Sequence, residues 1–128
     1  MIIDILAVRK GKGENMSSTI DIKISKYRAN GAKIFTGRDN GVKAREELNL
    51  NRIDEEDARV RILVPRDTWG INPSFFGGMF EGSIKKLGRK FEDKYCFCYA
   101  KGESLNDSLF KDIQDDIDYI IENIRVEE

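Results

Sequence analysis

Histidine is absent from this 128-residue chain. That removes Ser-His-Asp and Cys-His catalysis, imidazole metal ligands and histidine pH switches together. Cysteine is nearly absent: Cys96 and Cys98 are the only two, in a C-x-C arrangement. Alternate positions on an extended strand rarely bridge, and a metal centre would need further ligands, so no metal site and no cofactor are expected. Buried thiols in a reduced, cytoplasmic setting are the reading. No apolar run approaches the length needed to span a bilayer, and the N-terminal Met1 to Val8 carries Asp4 and no basic lead-in, unlike a signal peptide. There is no surplus of either charge: 22 basic and 23 acidic residues leave a net −1. A sequence pI near 5.7 excludes a strongly basic nucleic-acid binder.

What is present is globular. Forty per cent of residues are apolar and 35% charged, enough for one domain spanning 1–128 with its own core. Charge is divided unevenly: residues 91–128 carry 4 basic and 11 acidic residues, a balance of −7. The acidic end is expected to lie against basic residues such as Arg59, Arg61, Lys85 and Lys86, or to face a partner.

Ile2 to Val8 is apolar and predicts a strand. Ile20, Ile22 and Ile24 alternate with Asp21, Lys23 and Ser25 in a second, giving an opening hairpin. The turn 36–41 precedes a short helix through Val42, Ala44, Arg45 and Leu48. Residues 49–57 are polar and read as a connection. Val60, Ile62 and Val64 form a strand ended by Pro65. Asn72-Pro73 is a helix start, with a capping side chain followed by a residue lacking the donor that would go unpaired. Phe76, Met79, Phe80, Ile84 and Leu87 then recur at helical spacing, and Gly88 ends the helix. Tyr95 to Ala100 is apolar on both faces and is expected at the centre of the sheet. From Ser104 a long helix carries Leu105, Leu109, Ile113, Ile117, Ile120, Ile121 and Ile124. The order β-β-α-β-α-β-α predicts an α/β fold with a four-stranded mixed sheet and helices mainly on one face.

The segment from Thr36 through Arg38 to Leu48, the strand Val60 to Val64, and Ile71-Asn-Pro-Ser-Phe-Phe-Gly-Gly-Met-Phe80 together resemble a STAS-like domain family, formerly a domain of unknown function, distantly similar to anti-sigma factor antagonists. The resemblance spans about residues 20–100. It matches Ser74 and Phe75 to a Ser-Phe pair opening the second helix, and Arg38 to an Arg in the first helix turn. It implies a non-catalytic regulatory or signalling module whose partner is a histidine-kinase-like ATPase. The strand-end carboxylate of that family has no counterpart at Val64-Pro65.

Ser74 is the candidate phosphorylation site: phosphate in a helix's first turn meets free N–H groups and a favourable dipole. The plainer reading is a polar residue suited to a helix start. Trp69, in the loop 66–72, either anchors a partner or folds over the core; Phe75 is taken as its exposed companion, with Arg38 in support. An alternative function is a small-molecule or nucleotide-binding protein, an enzyme included, using the turn 36–41 and the helix start 72–74 as a phosphate cradle. The order G-x-x-x-x-G-K-[ST] is missing, which argues against nucleoside triphosphate hydrolysis. Tyr95, Phe97 and Tyr99 are read as core, not as an RNA-stacking platform. Glu46-Glu47 and Asp115-Asp116 are read as solvated charge. A homodimer built on the last helix is a third possibility.

Overall fold

The computed structural model describes residues 18–29 and 31–127. The strand expected at Ile2 to Val8, and with it the opening hairpin, lies outside the described residues. The elements in chain order are β1 (Ser18–Lys23), β2 (Ile34–Phe35), α1 (Arg38–Glu47), α2 (Leu50–Ile53), β3 (Ala58–Val64), β4 (Gly70–Ile71), α3 (Pro73–Leu87), α4 (Phe91–Lys94), β5 (Tyr95–Tyr99) and α5 (Asp107–Glu127).

The α/β class holds, but the sheet differs from the four-stranded mixed one expected. Among the described residues, three strands form one parallel sheet in the order β1-β3-β5, and β2 and β4 form a separate parallel pair. Two residues per strand are too few to show a period of two, which is why β2 and β4 leave no pattern in the sequence. Among the described residues Tyr95 to Ala100 is not central: β5 stands at one edge of this sheet, and β3 takes the middle. Both strands are apolar, but β3 is the longer, with Val60, Ile62 and Val64 almost wholly buried. The C-terminal end of β5 is closed by an antiparallel bridge from Cys98 to Ser104. Ser104 therefore belongs to this bridge, and the last helix begins at Asp107.

Register explains the core. Ile20, Val60 and Tyr95 lie side by side, then Ile22, Ile62 and Phe97, then Val64 and Tyr99. Every one of these points to the face that packs with α3 and α5. Alternate residues Thr19, Asp21, Arg59 and Arg61 stand on the opposite face, where Arg61 makes a bidentate pair with Asp21 at 2.7 Å on both arms. Phe76, Phe80, Phe91, Tyr95 and Phe97 form a chain of ring contacts 4.7–5.9 Å apart, so the aromatic strand is core.

The first helix starts at Arg38, four residues before the expected Val42. Gly41 disguises it: glycine in a helix interior is costly and reads as a turn. Here it permits contact. A Cβ on Gly41 would lie 2.2 Å from the Phe75 carbonyl oxygen, and one on Gly78 would lie 2.3 Å from that of Arg38. The two backbones touch with no side chain between them. The polar connection 49–57 also contains α2, whose Leu50 is fully buried.

A buried polar cluster fixes this end. Asp54, its side chain fully buried, accepts from Arg45 (3.0 Å), from Ser83 (2.7 and 2.9 Å) and from the Tyr95 hydroxyl (2.6 Å). It ties α1, α3 and β5 to the turn after α2. Burial and the Asp54 carboxylate together push the Tyr95 phenol well above its usual range.

Candidate functional site

The parallel pairing of β2 with β4 places two helix starts next to each other. Ile34 is opposite Gly70 and Phe35 opposite Ile71. The Asn72 N–H donates to the Phe35 carbonyl at 2.8 Å, and the Trp69 N–H to that of Lys33 at 2.7 Å. Thr36 and Asn72 thus follow adjacent strand ends, and α1 and α3 begin side by side. The turn 36–41 and the helix start 72–74, far apart in sequence, occupy one corner.

Asn72 caps α3 as its sequence demands. Its Oδ1 accepts from the Ser74 N–H (2.9 Å) and from the Ser74 hydroxyl (2.7 Å), and Pro73 takes the first helical position. Asn72, Pro73 and Ser74 are all exposed.

Trp69 is 76% exposed, more than any other large apolar side chain among the described residues. Its loop is braced beneath it. Arg28 donates to Asp67 (2.8 Å) and to the Thr68 hydroxyl (3.1 Å), and Lys33 reaches Asp67 at 3.1 Å. Hydrogen bonds from Arg28 and Lys33 hold the Asp67 carboxyl down at about 2. Arg66 pairs with Glu103 and stacks over the Tyr99 ring, 4.7 Å from its centre. The indole is presented on a held backbone.

Phe75 is not an exposed companion. It is fully buried, with its ring 5.1 Å from that of Phe35. Position decides this: Ser74 faces outward at the helix start, and the next residue turns 100° inward onto β2 and β4. Arg38 remains exposed and donates to Glu81 at 2.8 Å. Ile34, 40% exposed, adds apolar surface at the rim of β2.

Along the flank of α3 runs a cleft of about 170 Å³ whose lining includes Arg38, Pro73, Glu81 and Lys85 on one side and Asp116 and Tyr119 on the other. The sequence treats Asp116 as solvated charge, but it is half-buried there. Burial, with Asp112 and Asp115 nearby, raises its carboxyl to about 6. The acidic helix is tied to the segment after α3 by Arg89, which pairs with Asp118 of α5 and with Glu92 of α4 at 2.9 Å each. Of the basic residues expected to do so, Arg61 pairs with Asp21, Lys85 with Glu81 and Lys86 with Glu55.

The two thiols differ: Cys96 is exposed and Cys98 buried, and burial pushes the Cys98 thiol up. Among the described residues no group of three or more His, Cys, Asp or Glu is placed to hold a metal ion, and no helix is long and apolar enough to cross a membrane. Compared with family models, curated proteins and solved structures, the chain matches none.

Proposed function

We propose that this chain is a non-catalytic protein-binding module of regulatory kind, and that it engages its partner through the loop 66–72 and the opening of α3. The observation that carries the reading is Trp69. An indole three-quarters exposed on a loop held by two ion pairs and a backbone bond incurs little ordering cost on binding. Ile34 and Pro73 extend the apolar surface, Arg38 borders it, and Ser74 lies exposed at its edge with its hydroxyl bonded to Asn72. Phosphate on Ser74 would add nearly two negative charges beside the indole loop and gate docking. The STAS-like resemblance is the sole basis for naming a histidine-kinase-like ATPase as partner, and the cytoplasmic setting rests on the two unbridged thiols.

The test is affinity capture on the immobilised full chain, compared with Trp69→Ala and Ser74→Asp. A protein retained by the native chain, lost with Trp69→Ala and reduced with Ser74→Asp, supports the reading. Identical retention by native chain and Trp69→Ala sinks it.

One observation favours a second reading, the phosphate-binding one. The β2–β4 pairing sets the starts of α1 and α3 together, so the α1 start, which has no side-chain cap, and the exposed α3 start share one corner. A thermal shift with one nucleotide, abolished by Thr36→Ala or Ser74→Ala, would favour it over docking.

A further inference from the structure

The cleft between α3 and α5 narrows the chemistry of the partner. The two helices run antiparallel here: Arg89, just past the end of α3, pairs with Asp118, while Pro73 at its start lines the cleft that Ile120 and Asn123 also line. On the α3 wall charge is settled internally. Glu81 takes Arg38 at 2.8 Å and Lys85 at 3.1 Å, and both cations hold its carboxyl down. On the α5 wall it is not. The Asp116 side chain has no ion pair or hydrogen bond among the described residues, although the residue is half-buried. Tyr119, one turn further on, is 68% exposed and lines the same cleft. Glu122 and Asp112, flanking these two on the helix, are exposed and carry the same sign. A half-buried carboxylate without a counter-ion, beside an open aromatic ring on an acidic helix, is complementary to a cation with a flat or apolar stem.

We infer that this cleft receives a basic side chain of the protein partner, an arginine or lysine whose charged head meets Asp116 while its stem lies along the Tyr119 ring. The inference rests on the docking reading above and deepens it: the partner surface combines an apolar patch for Trp69 with a cation for Asp116. The Pro73 end of the cleft is the exposed helix start that directly follows the Trp69 loop.

The probe is N-acetyl-arginine amide, titrated into the isotopically labelled full chain and followed by amide NMR, with the citrulline analogue as its uncharged equivalent. The expected result is a saturable, millimolar response confined to Gly77, Glu81 and residues 116–123, at least five-fold weaker with citrulline. Asp116→Asn weakens it at least five-fold, and Asp112→Asn less than two-fold. Equal responses to arginine and citrulline, an arginine response spread evenly over the carboxylates of α5, or indifference to Asp116→Asn would each overturn the inference. Trp69-dependent capture with no arginine response defeats this inference alone; an arginine response with capture indifferent to Trp69 defeats the docking reading alone.

Discussion

Gly41 of α1 and Gly78 of α3 form a crossing in which each helix's backbone occupies the space the other's Cβ would need. This contact, more than any side chain, sets the spacing of the two helix starts at the candidate surface. Gly78→Ala gains up to about 1 kcal/mol of helix propensity but drives a methyl group into the Arg38 carbonyl. Overpacking against backbone costs about 1–3 kcal/mol or more. We expect a net loss of about 2 kcal/mol in chemical denaturation. A stabilised Gly78→Ala variant would show that the helices separate freely.

Trp69 and Phe75 lie six residues apart and should answer oppositely to truncation. Trp69→Ala removes an exposed ring, so stability should change by less than about 0.5 kcal/mol. Phe75→Ala empties a fully buried site against Phe35 and should cost about 3–5 kcal/mol. Thermal melts of both variants check the pair, and a large loss with Trp69→Ala would mean the indole supports the fold.

Asp54 is the hub of the buried polar cluster. Asp54→Ala leaves the Arg45 guanidinium and the Tyr95 hydroxyl without their shared acceptor. Removing one member of a buried pair typically costs about 3–5 kcal/mol, and urea denaturation should show a loss of that order. Tyr95→Phe, which removes one neutral donor, should cost only about 1–2 kcal/mol.

Asp116 should make stability depend on pH in the less common direction. Its carboxyl is held at about 6 in the fold against an ordinary 3.8. Between these values the native state keeps a proton that the unfolded chain has released, so stability falls as pH rises from about 4 to 6 and stays reduced above. Asp116→Asn should therefore stabilise at pH 7.5, by no more than about 1 kcal/mol after allowance for solvent screening, and do nothing at pH 3.5. Melting the two proteins across this range decides it; equal curves at pH 7.5 would mean the carboxyl is fully hydrated.

The Asn72 cap is the simplest local case. Asn72→Ala leaves the Ser74 N–H without its acceptor and should cost about 1 kcal/mol. Asn72→Asp should retain the stability, and circular dichroism melts of the two separate lost capping from lost side-chain volume.

Elements with strong local signals were legible from sequence alone. The span Pro73–Leu87 follows from a capping Asn, a Pro at the first helical position and a terminal Gly; β1 and β3 follow from alternation. What sequence hid was non-local. β2 and β4 exist only because they pair with each other, and α1 was masked by Gly41, whose purpose is visible only beside Gly78. Of the candidate surface, Trp69, Ser74 and Arg38 could be singled out by residue type and place. Phe75 could not be oriented without knowing where β2 runs. The Asp54 cluster joins residues 9, 29 and 41 positions apart, which no spacing rule reaches, and the half-burial of Asp116 depends on a helix docking thirty residues away in sequence.

The shared direction of α1 and α3 has a mechanical consequence. Arg38 lies against Gly78 at one end and Arg45 against Gly82 at the other, and Arg45 also grips the Met79 carbonyl and Asp54. Two rods keyed together along their length cannot rotate independently. Moving one helix against the other would therefore break the Arg45–Asp54 pair, whose cluster includes Tyr95, next to Lys94, the side chain that clasps the Ala58 carbonyl of β3 at 2.9 Å.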